Sequence, residues 1–371
     1  MSLSRRQFAA TPLALGLGGL SPLMSAALAQ DGAVPSLGGA FAAARMPFGA
    51  AVTPMQLADP KLAAHIAHHF RILVAENAMK PMHISPREGE YTFAGGDAIA
   101  DFAAKHRMPL RGHTLVWHQQ AAAWMFKDGD ADVSRAKLIA RMERYIADVV
   151  GHFKGRVFAW DVVNEAIVYD EPEHATDANG YRLSPWRNII GPEFIEIAFR
   201  AAAKADPDAL LFYNDYETQN PKKAAAILQL VKDLKARGVK IDGVGHQMHC
   251  ARVQPSLAEV EASIDALATT GVIQHVTELD FAINDRLQGT AVTAVTPELL
   301  ADQAERYRSL MDLLMRKRLV SATLVWGISD AHSWLNGWPK PRVEAPLMFD
   351  RQLAPKPAYH ALMDVARKYA A

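Results

Sequence analysis

Two glutamates close short apolar runs. Glu165 ends Trp160-Asp161-Val162-Val163-Asn164-Glu165, and Glu278 lies in Val276-Thr277-Glu278-Leu279-Asp280. The β-branched residues before each read as strand, so each carboxylate stands at a strand's C-terminal end. Alone, a strand-end glutamate reads equally well as a partner in a structural ion pair. Two on different strands fit hydrolysis of a glycosidic bond. One carboxyl protonates the leaving oxygen, and a carboxylate about 5–5.5 Å away attacks the anomeric carbon in a retaining mechanism. Other apolar runs end in polar or aromatic clusters: Glu76-Asn77, His113 with Trp117-His118, Asn214-Asp215, Gln247 with His249, and Trp326 with Asp330. Amides and imidazoles suit sugar hydroxyls, and indoles suit the apolar faces of pyranose rings.

Residues so far apart need a scaffold that gathers strand ends. Candidate strands lie at 48–52, 71–74, 110–116, 157–163, 210–213, 241–245, 273–277 and 322–325. Amphipathic stretches separate them. In 134–153 the apolar residues Leu138, Ile139, Met142, Tyr145, Ile146 and Val149 recur at spacings of three and four, one helix face. The stretches 222–237 and 297–318 behave alike. Alternating strands and helices over 371 residues predict a single-domain α/β protein, a (β/α)8 TIM barrel, whose strand C-termini all open on one face.

Lys+Arg and Asp+Glu both count 40, so no basic excess points to nucleic acid, and a neutral partner such as a polysaccharide fits. The single cysteine, Cys250, excludes an intramolecular disulfide and a multi-cysteine zinc site. Residues 1–30 read as a signal peptide of twin-arginine type: Arg5-Arg6 precedes Phe8, a weakly apolar stretch broken by Pro12 and Pro22 follows, and Ala27-Leu28-Ala29 closes it as a small-x-small cleavage site. Export to the periplasm or the exterior is expected, with no membrane span once the signal is removed. Residues 31–45, rich in Gly and Ala, read as a loose lead-in, and 46–371 as the catalytic domain. His65, His68 and His69 share a helix face and read as solvated.

The motifs Ala75-Glu76-Asn77-Ala78-Met79-Lys80, Gly112-His113-Thr114-Leu115-Val116-Trp117-His118, Trp160 through Ala166, Tyr213-Asn214-Asp215-Tyr216, Gly245-His246-Gln247-Met248-His249, Thr277-Glu278-Leu279-Asp280 and Trp326-Gly327-Ile328-Ser329-Asp330 with Trp334 occur in this order. Together they resemble glycoside hydrolase family 10, the barrel endo-β-1,4-xylanases, from about residue 45 to 365. The resemblance implies hydrolysis of xylan or xylo-oligosaccharides with retention and no cofactor or metal; a monomer is expected. It implies Glu165 as acid/base with a raised pKa, and Glu278 as nucleophile. Asn164 is then the partner of the sugar 2-hydroxyl, His249 is hydrogen-bonded to the nucleophile, and Gln247 lies close to nucleophile and sugar. Glu76, Asn77, Lys80, His113, Trp117 and Gln120 become the wall on the non-reducing side. Trp326 and Trp334 become an aromatic floor and lid, and Tyr216 borders the leaving-group side. Asp161, Asp280 and Asp330 read as structural. Ala75, Gln119 to Ala123 and Glu217 depart from the family pattern and bear on subsite preference. The rivals are a retaining β-glucanase or cellulase on the same barrel, a glycan-binding protein without activity, and a metal-dependent hydrolase.

Overall fold

The computed structural model describes residues 34–285 and 291–370. The signal peptide expected at 1–30 lies outside the described residues, as do 31–33 and 286–290.

Each of the eight apolar runs forms a strand: β1 (Phe48–Val52), β2 (Ile72–Ala75), β3 (Leu110–Val116), β4 (Ala159–Asn164), β5 (Leu210–Asp215), β6 (Gly243–His246), β7 (Ile273–Phe281) and β8 (Val320–Val325). All pair in parallel in chain order, and β8 returns to β1, closing a (β/α)8 barrel. β7 continues past Glu278 to Phe281 because a short strand, His249–Cys250, pairs with Asp280 and Phe281. Glu278 and Asp280 interrupt the apolar run, so sequence alone ends the strand too early. The pairing brings His249 beside Asp280.

Helices follow a repeated start signal. A capping side chain precedes proline at Thr53-Pro54, Asp59-Pro60, Ser184-Pro185, Asn220-Pro221 and Thr296-Pro297. The cap accepts an orphan N–H, and proline spends no donor in the first turn; such a cap stabilises by about 1 kcal/mol. The predicted helices form at Arg135–His152, Pro221–Ala236 and Pro297–Lys317.

The lead-in is not loose. Leu37–Ala43 forms α1, with Leu37 and Phe41 fully buried and Phe41 stacked on Phe48 at 5.0 Å. Its glycine is there for contact: a Cβ on Gly38 would stand 2.6 Å from the His69 carbonyl oxygen. That carbonyl ends α2 (Pro60–His69), where of the three histidines only His68 is solvent-exposed. His69 is buried against Phe349 and accepts from the Leu37 N–H, while His68 Nε2 bonds the Val34 carbonyl at 2.7 Å. Burial drives the pKa of His65 down to about 4 and that of His69 to about 3, so both are neutral packing groups.

Inside the barrel a charged layer replaces part of the apolar filling. Arg111 of β3 and Asp161 of β4, 0% and 1% exposed, form a bidentate pair. Arg111 also lies 4.4 Å over the Phe212 ring and bonds His275, while Asp161 bonds His113 at 3.0 Å. Asp161 keeps a pKa below the usual range: burial pushes it up, but Arg111 and His113 outweigh that. Arg111→Met strands this carboxylate and should cost about 3–5 kcal/mol in chemical denaturation; a loss within about 1 kcal/mol would show that His113 alone satisfies Asp161.

Candidate active site

Glu165 sits one residue past β4 in the left-handed region, φ 57°. A non-glycine residue there carries about 1–3 kcal/mol of strain, which the surroundings must offset. Three bonds do so. Its N–H donates to the Asn214 carbonyl at 3.0 Å, its carbonyl accepts from Arg182 Nε at 3.1 Å, and the next N–H, of Ala166, donates to the Tyr213 hydroxyl at 3.1 Å. The turn aims the carboxyl across the barrel mouth rather than along the strand.

A second left-handed residue, Met248 (φ 58°), stands between Gln247 and His249. The two do not share a strand face as their spacing suggests. β6 stops at His246, and the kink at Met248 starts the separate short strand at His249. Gln247 consequently turns toward β4 and His249 toward β7.

The carboxylates belong to one hydrogen-bonded network. Gln247 Nε2 donates to Glu165 Oε1 at 2.9 Å and to Asn164 Oδ1 at 3.2 Å. Asn164 Nδ2 donates to Glu165 Oε1 at 3.1 Å, and Trp117 Nε1 to Glu165 Oε2 at 2.8 Å. Asn214 Nδ2 divides its hydrogens between Asn164 Oδ1 at 2.9 Å and Glu278 Oε1 at 2.8 Å. The other oxygen of Glu278 faces His249 Nε2 at 3.1 Å, and His249 Nδ1 faces Asp280 Oδ2 at 2.9 Å. Trp334 Nε1 donates to that same Asp280 oxygen at 2.8 Å. Gln247 reaches Glu278 only through its main chain, whose carbonyl accepts the Glu278 N–H at 3.0 Å.

Three N–H donors to one carboxylate favour its charged form. Burial pushes Glu165 up, but His118, Gln247 and Trp117 outweigh it and hold the carboxyl below the usual range, opposite to the sequence expectation. Burial also lowers His118 itself to about 4, so near neutral pH that ring is uncharged and the hydrogen bonds do the holding. His249 differs. Burial alone would lower it, but Asp280 and then Glu278 push it up to about 9, so an imidazolium sits between two carboxylates. Desolvation lowers Lys80 against the pull of Glu278, Glu76 and Glu165, and raises Glu76 against Lys80.

The structure brings nearly all the sequence candidates to this mouth. Lys80 Nζ bonds Asn77 Oδ1 at 3.0 Å and lies 4.8 Å from the Trp117 ring and 5.9 Å from Trp326; Asn77 Nδ2 donates to Glu76. His113 is buried under Trp326, 5.2 Å between centroids, and Trp334 packs on His249 at 4.9 Å. Gln120 stands apart, bonded to His83, with no bond to the carboxylate network. Tyr216 meets it through Arg182, which donates to the phenol at 2.8 Å. The sequence placed Asn214 and His118 in strand-end clusters without a role for either, and gave no sign of Arg182. Asn214 had a readable signal, an amide near the end of β5 at the same height as Asn164 in the register. Arg182 had none, since it returns from a loop.

Among the described residues, one group could hold a cation: Glu171, Glu173 and His174, with ligand atoms within 4.8 Å of one another. It lies on the loop after β4 and contributes no bond to either catalytic candidate. No described helix is long and apolar enough to cross a membrane.

The raised pKa of His249 has a consequence for stability. A group whose folded pKa exceeds its unfolded value, about 6.5, contributes fully below that pH and loses the contribution as pH rises through the folded value. The Tm gap between the native protein and His249→Asn should therefore shrink from pH 6 to beyond pH 9. A gap constant over this window would contradict an imidazolium at this position.

Residues 36–365 match the family model described as glycosyl hydrolase family 10. A thermostable celloxylanase from Thermoclostridium stercorarium is 42% identical over 351 residues, covering 90% of this chain and 88% of the relative. The crystal structure of xylanase B from Clostridium stercorarium aligns with a TM-score of 0.84 at 41% identity, covering 89% of this chain and 100% of that one. An intracellular xylanase from Thermoanaerobacterium saccharolyticum, solved as a variant with xylotriose, aligns at a TM-score of 0.80 and 40% identity, covering 90% and 99%. On the barrel, the paired carboxylates at its mouth and these matches, the chain belongs to glycosyl hydrolase family 10.

Proposed function

We propose that the chain is an endo-1,4-β-xylanase that cleaves xylan or xylo-oligosaccharides with retention. The observation that carries this reading is the amide network joining Glu165 to Glu278 through Gln247, Asn164 and Asn214. It gives the two carboxylates different surroundings, which is what separates an acid from a nucleophile.

In the first step Glu278 attacks C1 of the sugar while Glu165 gives its proton to the departing glycosidic oxygen, leaving a glycosyl ester. In the second, ionised Glu165 takes a proton from water, which attacks C1 and releases Glu278. The low pKa in the open cleft suits this second step. For the first, Glu165 must take up a proton as substrate enters. A bound sugar excludes water and strengthens the desolvation that pushes the carboxyl up, and a glycosidic oxygen accepts a hydrogen bond that only the acid form can donate. His249, charged between Glu278 and Asp280, holds one oxygen of the nucleophile in place. Asn164 is the group placed to bond the 2-hydroxyl. Trp326 and Trp334 offer ring faces, with Glu76, Asn77 and Lys80 as polar contacts beside them.

The names of the relatives support xylan as substrate. One name joins cellulose and xylan activity, so cello-oligosaccharides belong in the same assay. We also propose export through the twin-arginine route and action as a monomer; the support for export is Arg5-Arg6 and the stretch that follows.

Purified protein given xylan, xylo-oligosaccharides and carboxymethylcellulose in parallel should release xylobiose and xylotriose quickly and little from cellulose. Glucan cleavage without xylan cleavage would overturn the substrate. Glu278→Ala should lose activity by about 10⁴-fold or more even on aryl xylobiosides with good leaving groups, whereas Glu165→Ala should spare the kcat/KM of those substrates. Equal losses for both variants on an activated substrate would contradict the roles.

A further inference from the structure

We propose that Arg182 is a positioning residue for Glu165: it clamps the acid/base in its left-handed turn, and so serves proton donation rather than nucleophilic attack. The proposal rests on the acid/base reading of Glu165.

Arg182 is 7% exposed, and among the described residues it makes no ion pair with a carboxylate. A buried guanidinium without such a partner is costly unless its donors are used. Here they are spent beside the reaction centre. Nε donates to the Glu165 carbonyl at 3.1 Å, and Nη2 to the Tyr216 hydroxyl at 2.8 Å, which in turn donates to Glu171 Oε2 at 2.8 Å. Tyr216 and Glu171 thus fix the guanidinium, and the guanidinium fixes the carbonyl of a residue whose backbone is strained.

The loop does not need this side chain to fold. The main-chain N–H of Arg182 closes it onto the Ala166 carbonyl at 2.9 Å. Asp177 clips it independently, accepting from Arg187 at 2.7 Å and from the Asn179 and Tyr181 N–H groups at 2.8 and 3.1 Å. Removing the side chain therefore frees the Glu165 turn while keeping the loop.

The charge also matters. The charged or titratable groups around Glu165 are Lys80 from the β2 end, His118 from the β3 end, Asp215 from the β5 end, Glu278 on β7 and Arg182 itself, with His174 and Lys223 behind His118. Arg182 favours the ionised carboxyl, so its loss moves proton release from Glu165 to higher pH.

The test is kcat/KM against pH for Arg182→Met and Arg182→Lys on two aryl xylobiosides. A dinitrophenyl group leaves without a proton; an unsubstituted phenyl group needs one. Arg182→Met should lose about 10- to 100-fold on the phenyl substrate, part of the 10²–10⁴ that general acid catalysis supplies. It should lose no more than about threefold on the dinitrophenyl substrate, a change too small for an acid-step defect. The alkaline limb should move to higher pH, with Arg182→Lys falling between native and Met. Equal losses on both substrates, or none on either, would overturn the proposal. Should Arg182→Met fail to fold, Tyr216→Phe removes only the hydroxyl that anchors the guanidinium and should show the same asymmetry at smaller size; a symmetric or absent effect would count against it. Glu165→Ala run alongside separates the two ideas. Leaving-group asymmetry there but not at Arg182 sinks only the clamp, whereas symmetric loss in Glu165→Ala sinks the acid/base assignment itself.

Discussion

Two carboxylates that share one barrel mouth repel each other, which favours protonation of one of them. The donors that Asn214, Gln247, Asn164 and Trp117 aim at them are what keep both usable. Both carboxamide hydrogens of Gln247 and both of Asn214 have acceptors, one of Asn164's is spent on Glu165, and Asn164 Oδ1 collects one from each side. Such a network tolerates no rotation of a single amide, because turning one over would aim a carbonyl oxygen at a carboxylate. The positive charges stand outside it. His249 backs Glu278, and Lys80 lies between two indoles.

The barrel is the means of holding that geometry. Strands β4, β5, β6 and β7 are neighbours in sequence order and in space, so Asn164, Asn214, Gln247 and Glu278 come from consecutive strand ends. Close approach of those strands is built into small residues: a Cβ on Gly245 would stand 2.2 Å from Asn214 Oδ1. Below, the Arg111–Asp161 pair ties β3 to β4 and, through His113, supports Trp326. The chain past the strand ends then departs from regular strand. Left-handed turns at Glu165 and Met248 redirect side chains that alternation alone would send elsewhere.

Much of this was legible in the sequence, for a physical reason. Strand ends in a closed barrel are recognisable as apolar runs broken by a polar residue, and the barrel supplies the convergence. Glu165, Glu278, Asn164 and His249 were therefore readable as one site. What could not be read came from the loops and the backbone. Arg182 lies seventeen residues after Glu165 and returns only because its loop folds back on Ala166. The reach of Gln247 toward Glu165 depends on the Met248 kink, and the depressed pKa of Glu165 depends on a donor count that no spacing reveals. The Gly-Ala lead-in misled because glycine signals freedom in a loop and close contact in a helix, and Gly38 is the second kind.

Glu278 bonds to carbon and Glu165 moves protons, and the stereochemistry of the product reports that division of labour. Proton NMR of xylohexaose hydrolysis in the first minutes, before mutarotation, resolves the anomeric signals of the new reducing ends. Two displacements at C1 predict that the β-anomer appears first and the α-anomer grows in later. An α-anomer at the earliest time would mean a single displacement by water and would contradict Glu278 as nucleophile.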